Sequence, residues 1–146
     1  MNILISACLM GVNCRYSGDS QMLECIPELM KKHHLIPVCP EIYGGMSTPR
    51  VASEIRSDGS VYNKEGEDVT EHFQRGAREV LKLAELYDCK YAIMKERSPS
   101  CGSGRIYDGT FTKTIVDGDG VAAKLLKKHG ITVIGESQIE GIMGEL

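Results

Sequence analysis

Six cysteines give this sequence its clearest capacity for chemistry, because thiolates bind soft metals and act as nucleophiles. Three of them, Cys8, Cys39 and Cys101, follow short apolar runs that each predict a buried strand. In an open parallel sheet, ligands bind beyond the carboxyl ends of the strands. We therefore expect these three cysteines to meet at one edge of the predicted sheet.

The wide separation of these cysteines argues against a zinc ribbon, which uses ligand pairs about two to four residues apart. No Cys-x-x-Cys motif occurs in the chain. Dispersed cysteines suit an iron–sulfur cluster, and three ligands rather than four would leave one iron open to substrate. The alternative is that the cysteines are small buried apolar residues, an interpretation that fits Cys25 and Cys89 best. Spacing alone leaves both interpretations open.

Cys14 lies six residues after Cys8 and has three conceivable roles. It would serve as a fourth ligand, as a second nucleophile, or as a bystander beside the site. We favour the bystander.

Length and composition indicate one domain over residues 1–146 with an ordinary apolar core. The formal net charge of −3 lacks the basic surplus of a nucleic-acid binder, so no nucleic-acid partner is expected. The first residues carry no signal-peptide pattern, and no apolar stretch approaches the roughly 20 residues of a membrane span. We expect no membrane partner and a cytoplasmic location, and the oligomeric state stays open.

Strand and helix patterns alternate along the chain and predict a three-layer, Rossmann-like α/β fold with a mainly parallel sheet. The best helix runs from about Thr70 to Tyr87 and has an apolar stripe at helical spacing. The Asp58-Gly59 pair lies between two short apolar runs and predicts a small β-hairpin arm. The strands of the sheet are predicted at 3–6, 35–38, 90–94 and 131–134, and further helices at 22–33 and 121–128.

Three multi-residue motifs follow one another along the chain. They are Ser6-Ala7-Cys8-Leu9-Met10-Gly11 with Arg15-Tyr16-Ser17-Gly18, Cys39-Pro40-Glu41 with Gly44-Gly45 and Pro49-Arg50, and Lys95 with Ser98-Pro99-Ser100-Cys101-Gly102. In this order they resemble the motifs of the thiouracil desulfidase family, and the resemblance covers nearly the whole chain. Ser17 departs from the pattern, because an acidic residue is expected there.

The resemblance implies a [4Fe–4S] cluster held by Cys8, Cys39 and Cys101, with one iron open to the substrate sulfur. It also implies a desulfidase that removes sulfur from a thiolated pyrimidine, thiouracil or its nucleotide. The products are a uracil-type base and sulfide, formed without net redox change. The choice between 2-thio and 4-thio substrates, and between free base and nucleotide, stays open.

The predicted catalytic residues are Glu41 and Ser100. Glu41 lies two residues from a proposed ligand and is the candidate general base for the attack of water on the ring carbon. Its alternative role is a carboxylate at a helix N-terminus. Ser98 and Ser100 are candidates for hydrogen bonds to the substrate, with loop capping as the alternative for both.

Five further residues are predicted to bind substrate. Arg15, Arg50 and Lys95 would contact a phosphate if the substrate is a nucleotide, and otherwise are surface charges. Gly44 and Gly45 would let the backbone approach the ligand closely, or merely allow a tight turn.

Two other classes of function remain as alternatives. The first is a non-catalytic sensor or carrier that uses the same cluster. The second is a cluster-free enzyme with a cysteine nucleophile, either Cys101 or Cys14, which would be colourless and insensitive to iron chelators.

Overall fold

The computed structural model describes residues 1–142 and 144. Two 3₁₀ turns, Ala7–Met10 and Glu136–Gln138, follow the first and last strands. The helices and strands in chain order are β1 Asn2–Ser6, α1 Ile26–Lys32, β2 His34–Val38, α2 Pro40–Tyr43, β3 Ser53–Ile55, β4 Val61–Asn63, α3 Thr70–Leu86, β5 Tyr91–Met94, β6 Arg105–Tyr107, β7 Ile115–Asp117, α4 Val121–Lys128, β8 Thr132–Gly135 and α5 Ile139–Ile142.

The central sheet has the strand order β2-β1-β5-β8, and all its pairings are parallel. The chain leaves β1 for one neighbour, β2, and later returns to the opposite side of β1 with β5. This reversal of direction is the topological switch point at which doubly wound sheets bind their ligands. The predicted α/β fold with a mainly parallel sheet is confirmed.

Successive side chains of the central strands are buried on opposite faces of the sheet, because side chains alternate along a β-strand. One face packs against α3 and α4, and its core includes Leu4, Met94, Val133, Val80 and Leu126. The other face packs against α1 and the start of α5, and its core includes Ile3, Ile5, Ile93, Leu29 and Ile139. The three layers predicted from the sequence are thus present.

Helix boundaries follow the local sequence closely. α1 begins at Ile26 rather than Met22, because Pro27 fits the first turn, where a missing backbone N–H costs nothing. α3 spans the predicted range and buries Phe73, Ala77 and Val80. Among the described residues, no helix combines the length and apolar character that a bilayer crossing requires.

Two short hairpins project from the carboxyl end of the sheet. The first, β3 with β4, turns at Asp58-Gly59 as predicted, and Gly59 adopts a positive φ of 88°. The second, β6 with β7, occupies a stretch for which no strand was expected. Asp117 is the last residue of β7. The strands of this second hairpin are only three residues long, too short to show an alternating pattern clearly.

Candidate functional site

A cavity of about 330 Å³ opens beyond the carboxyl ends of β1, β2 and β5. Its floor comes from the loops that follow these strands, and its wall includes residues of both hairpins. Cys8, Cys39 and Cys101 all line it, together with Cys14. The expected convergence of the three dispersed cysteines is therefore present in the fold.

Each of the three cysteines is fixed by the element that follows its strand. Cys8 lies in the 3₁₀ turn after β1, Cys39 directly precedes α2, and Cys101 lies in the turn after Ser98-Pro99-Ser100. The Cys8 and Cys101 side chains are buried, and Cys39 is partly exposed.

Cys25 and Cys89 lie outside this cavity and take the packing roles that the sequence suggested. Cys89 is buried in the core between the sheet and α3, and Cys25 packs at the start of α1.

The four cavity cysteines differ in their affinity for protons. Burial raises the pKa of Cys8 to about 11 and the pKa of Cys101 to about 12. A hydrogen bond from the Cys14 thiol lowers the pKa of Cys39 to about 7, and the same bond, with burial, raises the pKa of Cys14. Cys39 Sγ also lies 3.8 Å from the Cys14 carbonyl oxygen, but a Cys39 thiolate has no proton to donate to it.

Glu41 lies in the first turn of α2 and bonds to two partners across the cavity wall. Its Oε1 accepts a hydrogen bond from Arg50 Nε at 3.0 Å, and its Oε2 accepts one from Ser100 Oγ at 3.0 Å. Ser100 Oγ is in turn 3.6 Å from Cys101 Sγ. The carboxylate is thus connected through one hydroxyl to a cavity thiol, and it also holds the helix-start position considered as its alternative role.

Ser98 caps the turn that carries Cys101. Its Oγ accepts hydrogen bonds from the backbone N–H groups of Ser100 and Cys101, at 3.2 and 3.1 Å. Both serines line the cavity, and their hydroxyls are 3.0 Å apart. The capping role expected as one alternative is present for Ser98, while its contact with substrate stays a prediction.

The three predicted cationic residues line the cavity, and each has an acidic partner. Arg50 pairs with Glu41 and also donates to the Cys14 carbonyl oxygen at 3.0 Å. Lys95 Nζ is 2.8 Å from Glu136 Oε2, and Arg15 Nη1 is 3.3 Å from Asp19 Oδ1. Asp19 thus supplies a carboxylate close to position 17, where an acidic residue was expected.

Gly44 and Gly45 are not among the residues that line the cavity. A Cβ on Gly44 would lie 2.0 Å from the His72 carbonyl oxygen, so this glycine lets α2 approach α3 closely. Gly45 has a φ of 91° and provides the tight turn after α2. The predicted contact of Gly44 and Gly45 with substrate stays a prediction, and their position outside the cavity lining does not support it.

Both hairpins supply cavity residues that the sequence did not single out. They include Glu54 from the first hairpin, Lys64 directly after it, and Tyr107, Phe111 and Lys113 from the second. The Asp108-Gly109 pair is a hairpin signal that would have located the second turn.

The side chains that could bind a metal determine which kind of metal centre this cavity can hold. Within residues 1–142 and 144, no group of three or more His, Cys, Asp or Glu side chains is arranged to hold a single metal ion. Three cysteines on one cavity are instead the donors that the irons of an iron–sulfur cluster prefer. Cys8, Cys39 and Cys101 therefore fit such a cluster by their chemistry.

The doubly wound sheet, with a cavity of cysteines, serine and carboxylate at its switch point, is the arrangement of an α/β protein with a thiol-lined candidate active site. Residues 3–138 match the model of the 2-thiouracil desulfurase family, so the chain belongs to that family. The resemblance drawn from the three motifs is thereby confirmed, and with it the expected enzyme class, a thiouracil desulfidase.

Two similar proteins agree with this assignment. The uncharacterized protein YbbK of Bacillus subtilis strain 168 is 41% identical over 150 residues, which cover 97% of this chain and 99% of YbbK. A solved structure described as the [4Fe–4S]-dependent thiouracil desulfidase TudS superposes with a TM-score of 0.92 at 38% identity. That match covers 99% of this chain and 96% of TudS.

Proposed function

We propose that the chain acts as a single-domain, [4Fe–4S]-dependent desulfidase on a thiolated pyrimidine, thiouracil or its nucleotide. Family membership and the similarity to TudS support this activity. The single observation that carries the proposal is the cavity that brings Cys8, Cys39 and Cys101 together with the Glu41–Ser100 pair. The reaction yields a uracil-type base and sulfide without net redox change.

Cys8, Cys39 and Cys101 are the proposed ligands of the cluster. With three protein ligands, the cluster supplies an open iron, a soft Lewis acid for the thiocarbonyl sulfur. Cys14 is proposed to stay beside the site, where its thiol interacts with Cys39 and lowers the pKa of that cysteine.

Glu41 is the proposed general base. Water adds to the ring carbon that carries sulfur, and Glu41 accepts a proton from it. The C–S bond then breaks, the sulfur departs as hydrosulfide, and the carbonyl forms. The protons of the water end on the sulfide or in solvent, so thiocarbonyl plus water gives carbonyl plus hydrogen sulfide. Arg50 and Ser100, which both donate to the carboxylate, orient it towards the cavity.

Anaerobic reconstitution with iron and sulfide tests this function. The wild type should become brown and release sulfide from 2-thiouracil, 4-thiouracil or the corresponding nucleotide. Cys8→Ala, Cys39→Ala and Cys101→Ala should each lose the cluster absorption and the activity. Cys25→Ala, a change at the start of α1 outside the cavity, should retain both and serves as the matched control.

The other outcomes separate the alternatives. A brown wild type that is inactive on all these substrates would contradict the desulfidase and favour a sensor or carrier. A colourless wild type that binds no iron would contradict the cluster and favour thiol chemistry at Cys101 or Cys14.

A further inference from the structure

The outer wall of the cavity contains residues that the proposed reaction does not use. The loop of residues 108–114, which connects β6 to β7, supplies Phe111 and Lys113 to this wall. The first hairpin supplies Glu54. These residues come from arms outside the central sheet, whereas the proposed catalytic groups all follow its strands.

The 108–114 loop holds a conformation that its residues do not favour on their own. Phe111 and Lys113 have φ values of 58° and 62°, in the left-handed region that non-glycine residues rarely adopt. Such conformations persist only where the surroundings impose them, and they are concentrated at ligand clamps and active sites. Contacts with the rest of the protein must therefore hold the loop in this conformation.

Glu54 supplies such a contact at Phe111. Its Oε1 accepts hydrogen bonds from the backbone N–H groups of Gly109 and Phe111, at 3.0 and 3.1 Å. Gly109 itself lies against β3, since a Cβ there would be 2.9 Å from the Ile55 carbonyl oxygen. Asp108 further accepts from the N–H of Thr110 at 3.0 Å. One carboxylate of the first hairpin thus fixes the backbone of the second at the residue that carries an aromatic ring.

Phe111 is placed unusually for a phenylalanine. The chain has two, and the other, Phe73, lies on α3 and is fully buried. Phe111 is partly exposed and faces the same cavity as the cysteines, with Tyr107 also in the lining. An aromatic side chain on the wall of a small-molecule cavity provides a flat apolar surface, which stacks well on a heteroaromatic base.

We infer that the Phe111 ring stacks on the pyrimidine of the substrate and that Glu54 is the positioning residue that holds it there. The inference rests on the proposed function and deepens it by assigning the part of the site that recognises the ring rather than the sulfur. Glu54 acts only through the loop backbone, so its effect must pass through Phe111.

Variants at Phe111 test the stacking directly on the reconstituted protein. Phe111→Leu removes the aromatic face and should raise the KM for thiouracil about tenfold, with kcat and cluster absorption little changed. Phe111→Tyr keeps the ring and should restore the wild-type KM. Tyr87→Leu, at the exposed C-terminal end of α3, is the matched loss of an aromatic residue outside the cavity and should have no effect. Uracil carries no sulfur and is not turned over, so calorimetric titration with uracil measures binding alone. Its affinity should be lower for Phe111→Leu than for the wild type, Phe111→Tyr and Tyr87→Leu.

Variants at Glu54 test the positioning. Glu54→Ala should raise KM as Phe111→Leu does, and should speed hydrogen exchange at the Gly109 and Phe111 amides. Glu54→Gln retains an acceptor oxygen and should largely restore both readouts. Glu65→Ala, which removes an exposed carboxylate in the turn after β4, is the control and should change neither.

The double variant Glu54→Ala with Phe111→Leu should be no worse than Phe111→Leu alone, because both changes remove one contact. Unchanged KM and uracil affinity in Phe111→Leu, in a protein whose wild type releases sulfide, would overturn the stacking and leave the proposed function intact. A wild type that holds its cluster yet releases no sulfide would instead contradict the proposed function. If uracil then binds to the wild type and to Phe111→Leu with equal affinity, the stacking inference is contradicted as well.

Discussion

Arg50 and Glu41 form an ion pair inside the cavity wall, with 3.0 Å between Nε and Oε1 and side chains that are only 6% and 13% exposed. The guanidinium also donates to the carbonyl oxygens of Ser47 and Cys14, so it connects α2 to the segment after β1. Removing one member of a buried pair leaves a charge without compensation, whereas surface pairs contribute little. Breaking the buried Arg50–Glu41 pair should therefore cost more stability than breaking an exposed pair.

Arg50→Met should lower the free energy of unfolding by about 3 kcal/mol, because Glu41 then keeps only the Ser100 hydrogen bond. Arg78→Met breaks the exposed pair with Glu71 and should cost less than about 1 kcal/mol. Anaerobic urea unfolding followed by circular dichroism measures both. Equal stabilities of the two variants would show that the buried pair contributes no more than a surface one.

Glu41→Gln should lower kcat about 10²- to 10⁴-fold, the usual contribution of a general base. The amide is nearly isosteric and its oxygen still accepts from Ser100, so the cluster absorption should remain. The measurement is the rate of sulfide release at saturating thiouracil, with Glu71→Gln on the exposed face of α3 as the control. Activity within a few-fold of wild type would remove Glu41 from the reaction.

Alkylation of the apo protein should reveal the unequal thiols. Because the Cys14 hydrogen bond lowers the pKa of Cys39 to about 7, the Cys39 thiolate is present above that pH and is lost below it. Cys39 should therefore react with iodoacetamide near neutral pH. Cys8 and Cys101, with pKa values raised by burial to about 11 and 12, should stay protonated and react slowly. Mass spectrometry measures the extent of alkylation of each cysteine over a series of pH values.

The cause of the low pKa is tested by Cys14→Ala. Loss of the donor should move the reaction profile of Cys39 to higher pH, while Cys25→Ala should leave it in place. A Cys39 profile that does not respond to Cys14→Ala would show that the hydrogen bond is not the source of the shift.

Gly76→Ala should destabilise the protein by several kcal/mol, although alanine is the better helix former by about 1 kcal/mol. The added Cβ would lie 1.8 Å from the Pro40 carbonyl oxygen, so α2, which carries Glu41, would have to move away from α3. Gly141→Ala in α5 meets no atom of the described residues 1–142 and 144, and it should be neutral or slightly stabilising. Urea unfolding compares the two, and similar stabilities would show that α2 moves without cost.

The sequence predicted the parts of the fold that depend on local pattern. The apolar runs that end at Ser6, Val38 and Met94 predicted three strands of the sheet, and their parallel order followed from the alternation with helices. The stripe of α3 predicted its range to within a residue. Cys8, Cys39 and Cys101 were assigned to one edge because their positions relative to the strands were readable without any tertiary information.

The features that the sequence did not predict depend on contacts between distant segments. The four residues of α2 are too few to show a helical period, and this helix is held by its close approach to α3 through Gly44 and Gly76. The 108–114 loop takes its shape from Glu54, far away in the chain. The pairs Arg50–Glu41 and Lys95–Glu136 likewise join residues that no local pattern connects.

The position of β1 between β2 and β5 has a consequence for the order of events during synthesis. Cys8 emerges from the ribosome first and approaches Cys39 when β2 pairs with β1, but Cys101 joins them only once β5 has docked on the other side of β1. A growing chain therefore offers no local pair of closely spaced thiols, the arrangement by which a zinc ion is captured in an unfolded segment. The thiol-lined cavity is thus a product of folding, because its three cysteines lie side by side only after distant segments have docked.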